Sequence, residues 1–387
     1  MAVRGDAPLH RDPACGLRRH RAGTVPQGPW DPLPPRVRKR IALLGDVNLD
    51  LVLPVSGFPA PGAEELSERA FLALGGSVVH TARWLSLFGV EVRLAGCVGM
   101  DPWGEWVLTA LRRAGIGTRY IQRADRTPTG IMCIAVGPGG ERTMLGARGA
   151  NAELRAGSIP PGWLEGVEWL HLSGYAWLRD PQRAAAEWAL AEARRRGIPV
   201  SLDVGLGAAC LKGATLRSLL PRVDLLLPSR EEARRLSGRN APAEALQELS
   251  ALVPGPVLIK LGGEGCLVPG ERGPVHLPPF PVAARDTTGA GDAFDAGAII
   301  GALQDWSPAL QGLLGNLLGA LSAGGGPADP WPTEKEALRL IDRLAERAPP
   351  WQANLEMLKE FVQSHWEGGE DGSGLEGADG GPAAPVP

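Results

Sequence analysis

The segment Asp286-Thr-Thr-Gly-Ala-Gly-Asp292-Ala-Phe294 carries the densest chemistry in the chain. Gly289, Ala290 and Gly291 are small enough for a tight turn and for close approach of a ligand to the backbone. The residues after them, 293–303, are predicted to be helical. The free N–H groups of such a helix start form a ready anion site. A carboxylate in that first turn, Asp292, would repel a bound phosphate unless it has a task there. Accepting a proton from an attacking hydroxyl is the natural one, while the amides stabilise charge on a transferring phosphoryl group. A bare Gly-x-Gly-Asp is more often a loop followed by an ordinary helix-starting acid. The nine-residue string is far more specific than that.

Such residues need a scaffold that gathers loops at one edge. Short apolar runs at 41–44, 92–98, 169–172, 200–202, 223–227 and 257–260 alternate with helical stretches at 77–88, 104–114, 181–196 and 231–236. This alternation predicts an α/β fold, a mostly parallel sheet with helices on both faces. Ligands in such sheets sit at the carboxyl ends of the strands. Residues 64–74 and 131–145 break the pattern and read as strands of a small separate sheet. Residues 310–323 read as a buried helix. A capping box from Thr333 to Glu336 opens another helix, to about 348, and a further helical stretch covers 351–366.

Bulk properties exclude several classes. The 387 residues are 44% hydrophobic and 21% charged, with a net charge of -3. A sizeable core can form, and no global basic field points to nucleic acid. No apolar run of about 18 residues predicts a membrane span, and no apolar segment follows the N-terminal arginines as in a secretory signal. Cys15, Cys97, Cys133, Cys210 and Cys266 are scattered, with no Cys-x-x-Cys pair. That argues against a zinc ribbon or disulfide framework and for a reducing, cytoplasmic setting. Residues 1–38, rich in Pro, Arg and Gly, and the low-complexity residues 367–387 are expected to be disordered. Between them lie a domain over 39–348 and an additional C-terminal helix over 349–366. There is no Gly-x4-Gly-Lys-Ser/Thr loop, so a P-loop enzyme is not supported. His171, on an apolar strand, reads as a satisfied core histidine. Asp203 reads, on its own residues, as a loop acid.

Several motifs together resemble the PfkB/ribokinase family. The Asp286–Phe294 string is similar to its C-terminal signature. Gly45-Asp-Val-Asn48-Leu-Asp50 is similar to its opening substrate segment, and Leu74-Gly75-Gly76-Ser77-Val-Val-His80 to its first signature. Val98-Gly-Met-Asp101, Gly140-Glu-Arg142, Arg148-Gly-Ala-Asn151 and Lys260-Leu-Gly-Gly263-Glu-Gly265 follow in the family's order. The resemblance spans about 39–345. It implies a ribokinase-like three-layer α/β/α sandwich, with a small β-sheet lid formed within about 54–74 and 127–148.

The resemblance also implies roles. Asp292 matches the catalytic base, and Gly289, Ala290 and Gly291 the anion hole. Asn48, Asp50, Gly75, Gly76, His80 and Glu141 match substrate contacts. Ser229, Lys260, Gly262, Gly263, Gly265 and Asn316 fall on the ATP side. Glu232 matches an acid that organises Mg2+ indirectly, and Asp286 with Thr288 a loop that binds a monovalent cation such as K+ in some members. The implied activity is transfer of the ATP γ-phosphoryl group to a sugar hydroxyl. A nucleoside kinase and a non-catalytic sugar-binding regulator are the alternatives. The implied partners are a small sugar and, through the lid, a second copy of the chain, with no nucleic acid and no membrane. Three positions depart from the usual pattern: His80, Ser229 and Asp295 each stand where Asn is common.

Overall fold

The computed structural model describes residues 39–138, 140–326, 329 and 331–367, so nearly all of both terminal segments expected to be disordered lies outside the described residues. Thirteen strands and ten α-helices order the described chain. They are β1 (Arg40–Leu44), β2 (Asn48–Pro54), β3 (Phe71–Gly75), α1 (Ser77–Leu87), β4 (Glu91–Gly99), α2 (Pro102–Arg113), β5 (Ile121–Ala124), β6 (Gly130–Val136) and β7 (Arg142–Ala147). Next come β8 (Trp169–Ser173), α3 (Gln182–Arg196), β9 (Val200–Asp203), α4 (Leu206–Leu219), β10 (Leu225–Leu227), α5 (Arg230–Ser237) and α6 (Pro242–Ser250). The last part holds β11 (Ile259–Lys260), β12 (Cys266–Gly270), β13 (Gly273–Leu277), α7 (Ala290–Leu303), α8 (Pro308–Gly324), α9 (Glu334–Arg347) and α10 (Gln352–His365).

The central sheet runs β10-β9-β8-β1-β4-β5, and every pairing in it is parallel. Backbone bonds Leu226 N to Pro256 O, Leu258 N to Leu226 O and Lys260 N to Pro228 O set the β11 segment beside β10. The antiparallel set β11-β12-β13 thereby continues that edge. Side chains of β1 alternate between two cores. Ile41 and Leu43 face one with α1, α2, α7 and α8, while Ala42 and Leu44 face the other with α3 and α4. This two-residue alternation makes three layers of α, β and α, because a parallel sheet must cover both faces. Strand order reverses around β1, since the chain goes to β4 on one side and β8 on the other. The carboxyl end of β1, at Leu44 and Gly45, therefore opens onto a crevice suited to a ligand.

The second sheet is four-stranded, β3-β2-β6-β7, with β2 parallel to β6 and the other pairs antiparallel. The sequence expectation of a strand over 64–74 holds only at its end, because β3 is Phe71–Gly75. The strand that the apolar pattern did not separate is β2, in which Asn48 and Asp50 lead directly out of the β1 turn. Polar residues at alternate positions masked it. They point one way along the strand, into the crevice, instead of out to solvent.

The capping box expected at Thr333 is present: its hydroxyl accepts from Glu336 N at 3.3 Å and Glu336 Oε2 accepts from Thr333 N at 2.7 Å. The C-terminal helix α10 packs Phe361 on Phe88 and Trp306, with ring centroids 5.9 and 4.8 Å apart.

Candidate active site

Helix α7 begins at the glycine loop. Gly289 is its N-cap with φ 73°, a left-handed conformation that glycine adopts without a Cβ penalty. A Cβ there would also lie 3.2 Å from the His80 ring. Asp292 occupies the first helical turn and is half-buried. Burial pushes its carboxyl up to about 7. Asp203 pushes the same way, while His80, Lys260 and Arg142 oppose it. A carboxylate with that pKa is suited to take a proton at neutral pH.

The residues expected to contact the substrate lie mostly on β2, β3 and the start of α1. Asn48 pairs with Gly75 and Asp50 with Ala73 across the β2–β3 ladder. Gly75 allows that approach, since a Cβ on it would stand 1.8 Å from Asp50 Oδ1. Gly76, the N-cap of α1, has φ 102°, and a Cβ would meet the Asp46 carbonyl oxygen at 2.1 Å. Asp50 is buried, and its Oδ1 has no hydrogen-bond partner. A buried carboxylate oxygen without a donor is costly, and a ligand hydroxyl would satisfy it. His80 Nε2 lies 3.9 Å from Asp50 Oδ2. The imidazole thus stands between the buried carboxylate and the Gly289 turn, joining the two halves of the site.

Behind them lies a network that the sequence motifs only hinted at. Arg148 grips Asp46 with two bonds of 2.8 and 2.7 Å, and Gln182 Nε2 donates to Asp46 Oδ1 at 2.9 Å. Asn151 Oδ1 accepts from Val47 N at 2.7 Å, and its amide donates to Asn48 Oδ1 at 2.6 Å. These bonds fix the β1–β2 turn. Asn151 and Arg148 lay in a recognised motif; Gln182 had no signal, because only tertiary contact brings it there.

Glu141 and Arg142 lie on the second sheet's side, where a cavity of about 730 Å³ is lined by Val55, Phe58, Glu141, Arg142 and Thr287. It reaches the glycine loop at Thr287, but Asp50 and Asp292 do not line it. Arg142 donates to the Thr287 hydroxyl, which in turn donates to Gly140 O at 3.2 Å, tying the small sheet to the loop. Within the loop, Thr288 N donates to Asp286 Oδ1 at 2.8 Å, and the buried Thr288 hydroxyl has no partner.

On the far side of α7, Gly262, Gly263 and Gly265 turn the chain between β11 and β12. An added Cβ would meet nothing within 4 Å at Gly262 or Gly263, so this backbone is open to a ligand. Asn316 is buried and donates to Pro278 O at 3.0 Å, an internal bond. Ser229 caps α5 in a reciprocal box: Glu232 Oε2 accepts from Ser229 N at 2.7 Å and Ser229 Oγ accepts from Glu232 N at 3.4 Å. Ser in place of Asn keeps that geometry, since both are favoured N-caps. Burial, with Asp203, pushes the Glu232 carboxyl up to about 7, against Lys260 and the Ser229 bonds.

Lys260 projects behind the α7 start. Its Nζ lies 3.0 Å from Asp203 Oδ1 and 2.9 Å from Asp295 Oδ1. Burial disfavours its charge, but Asp203, Asp295 and Glu232 outweigh that and raise its pKa. One oxygen of each of Asp203, Asp292 and Asp295 lies within 4.8 Å of the others. Asp203 thus belongs to the site, and Asp295 is a fully buried ion-pair partner in place of an amide. His171 differs from expectation. Its Nδ1 meets Ser201 Oγ at 2.9 Å, but its Nε2 is buried without a partner, and burial lowers its pKa to about 4.

The family model for pfkB family carbohydrate kinases matches residues 38–334. The chain is 27% identical to a ribokinase from Haemophilus influenzae over 316 residues, covering 79% of this chain and 99% of the relative. It is 30% identical to an Escherichia coli fructokinase over 275 residues, covering 68% and 84%. A candidate ribokinase II from E. coli, solved with ATP and Mg2+, superposes with a TM-score of 0.67 at 21% identity, covering 79% of this chain and 99% of that one.

Proposed function

The chain belongs to the PfkB family of carbohydrate kinases, transferases that phosphorylate hydroxyl groups of sugars, and from that premise we propose the roles of its residues. The substrate pair is ATP and a sugar or sugar-like alcohol. Asp50 and Asn48 hold substrate hydroxyls, with Gly75 and Gly76 giving room and Glu141 approaching from the small sheet. Asp292 takes the proton of the attacking hydroxyl as its oxygen bonds to the γ-phosphorus and the bond to the β-phosphate oxygen breaks, releasing ADP. The N–H groups of Gly289, Ala290 and Gly291 stabilise charge on the transferring group. The observation that carries this reading is the place of Asp292 in the first turn of α7, directly after the glycine loop, where burial pushes its carboxyl up to about 7.

The open Gly262–Gly263 turn suits the nucleotide, with Gly265, Ser229 and Asn316 shaping its side of the cleft. Glu232, buried and able to ionise near neutrality, fits an acid that orients Mg2+ through water. Mg2+ bound with ATP would neutralise phosphate charge. The orphan Thr288 hydroxyl beside Asp286 is the reason to assign a monovalent cation such as K+ to that loop.

The small sheet serves as a lid, and β7 is its fully exposed edge, with Leu145 at 65% exposure. An exposed edge strand is a template for pairing, so a second copy of the chain is the proposed partner. A cytoplasmic location suits the unpaired thiols of Cys97 and Cys266. No described helix is long and apolar enough to cross a membrane.

The test is ADP release from Mg-ATP across a panel of ribose, fructose, 2-keto-3-deoxygluconate, fructose phosphates and nucleosides, with and without K+. A strong sugar signal lost in Asp292→Asn supports the proposal. A response to nucleosides alone moves the substrate class to nucleosides, and sugar binding without turnover leaves only a binder.

A further inference from the structure

Lys260 falls in a glycine turn assigned to the nucleotide, yet its ammonium points elsewhere. It lies between Asp203, at the carboxyl end of β9, and Asp295, one turn beyond Asp292 on α7. Asp295 approaches it with both oxygens, at 2.9 and 3.2 Å. A Cβ on Gly291 would stand 3.7 Å from Nζ, so the ammonium also lies directly behind the anion-hole backbone. Three carboxylates gathered around one buried ammonium hold more negative charge than it can neutralise. The ionisation of Asp292 and of Asp295 then depends on the charges around them.

We propose that Lys260 and Asp203 are positioning residues for Asp292, an ammonium and a carboxylate of opposite sign that together set when the base can accept a proton. Asp295 is the clamp that holds the ammonium there, which accounts for an acid where the amide is common. The inference rests on Asp292 being the base. The titratable and charged groups that face Asp292 are His80 on α1, Arg142 on β7, Tyr175 in the turn after β8, Asp203 on β9, Lys260 on β11 and Asp295 on α7 itself. Lys260 and Asp203 are the two whose removal acts on Asp292 in opposite directions without touching the Asp50–His80 side.

The experiment is carbon NMR of the full chain with carboxyl-labelled aspartate, free of substrate. The Asp292 signal is assigned by its loss in Asp292→Asn. Lys260→Met is expected to move the Asp292 titration to higher pH and Asp203→Asn to lower pH, each on the order of one pH unit. Lys260→Arg keeps the charge and should stay near wild type. Titrations that stay put in both Lys260→Met and Asp203→Asn, or that move the same way, overturn the inference. Should Lys260→Met not fold, the near-isosteric Asp203→Asn decides alone, and an unshifted titration refutes the proposal. Failure of the kinase reading would show differently, as sugar-dependent ADP release that survives Asp292→Asn.

Discussion

At the scale of single residues, the account turns on carboxyl groups kept near neutrality by burial. Asp292 has a folded pKa of about 7, well above the ~3.9 of an unfolded aspartate. The folded state therefore binds more protons than the unfolded one between those values. Stability contributed by this site is full below pH ~4 and is lost as pH rises through 7. Asp292→Asn should thus melt higher than wild type at pH 8, by about 2–4 °C for each kcal/mol recovered, and the difference should close at pH 4. Thermal melts at both pH values check this. Activity has the opposite dependence: turnover should fall about tenfold per unit as pH drops below 7, where the base is protonated. His80 stands between Asp50 and Gly289, so His80→Asn should change KM among sugars more than kcat, read from steady-state kinetics on two acceptors. The glycine loop was legible from its own residues, because its chemistry is local, whereas Asp50 and the Gly75–Gly76 turn were reached only through the family resemblance. Asp203 and Asp295 were only half legible. Their role depends on an ammonium that arrives from β11, 57 and 35 residues away in the chain.

At the scale of elements, most strands and helices followed from apolar periodicity, and the exceptions have physical causes. β2 was hidden because the buried polar side chains of Asn48 and Asp50 interrupt its apolar pattern. β11, only two residues long, lies inside the apolar run 257–260 that was expected as a strand, and bonds of Leu258 N and Lys260 N join that run to β10. β5, β12, β13, α4 and α6 had no separate signal in the apolar pattern. Ser229, which stands where Asn is common, caps α5 in a reciprocal box. Ser229→Ala should cost about 1 kcal/mol in denaturant midpoint experiments, with Ser229→Asn near neutral. The helix α10 was expected without a role. Leu355, Leu358, Phe361 and Val362 are buried in the same core as α1 and α7. Phe361→Ala should therefore destabilise the fold by ~3–5 kcal/mol, measured by urea unfolding, with kcat little changed at a temperature where the variant is folded.

At the scale of the whole molecule, one parallel sheet and one small mixed sheet face each other across the site. Helix α7, with Asp292 in its first turn, packs on the first, and the second carries Asn48 and Asp50 on β2, with Glu141 in the turn before β7. Arg142 on Thr287 is one contact that ties the small sheet to the loop before α7. Because β7 is an exposed edge with Met144 and Leu145 outward, light scattering of the full chain should report a dimer, and Leu145→Glu should shift it toward monomer. A monomer in wild type would remove the lid-mediated assembly but leave the catalytic account intact.

The central claim is that Asp292 takes the proton from the acceptor hydroxyl. The most direct measurement is sugar-dependent ADP release by wild type and Asp292→Asn, alongside sugar binding by calorimetry. The account predicts a loss of turnover of about 10²–10⁴-fold with sugar affinity retained. Turnover within a few-fold of wild type in Asp292→Asn would contradict it.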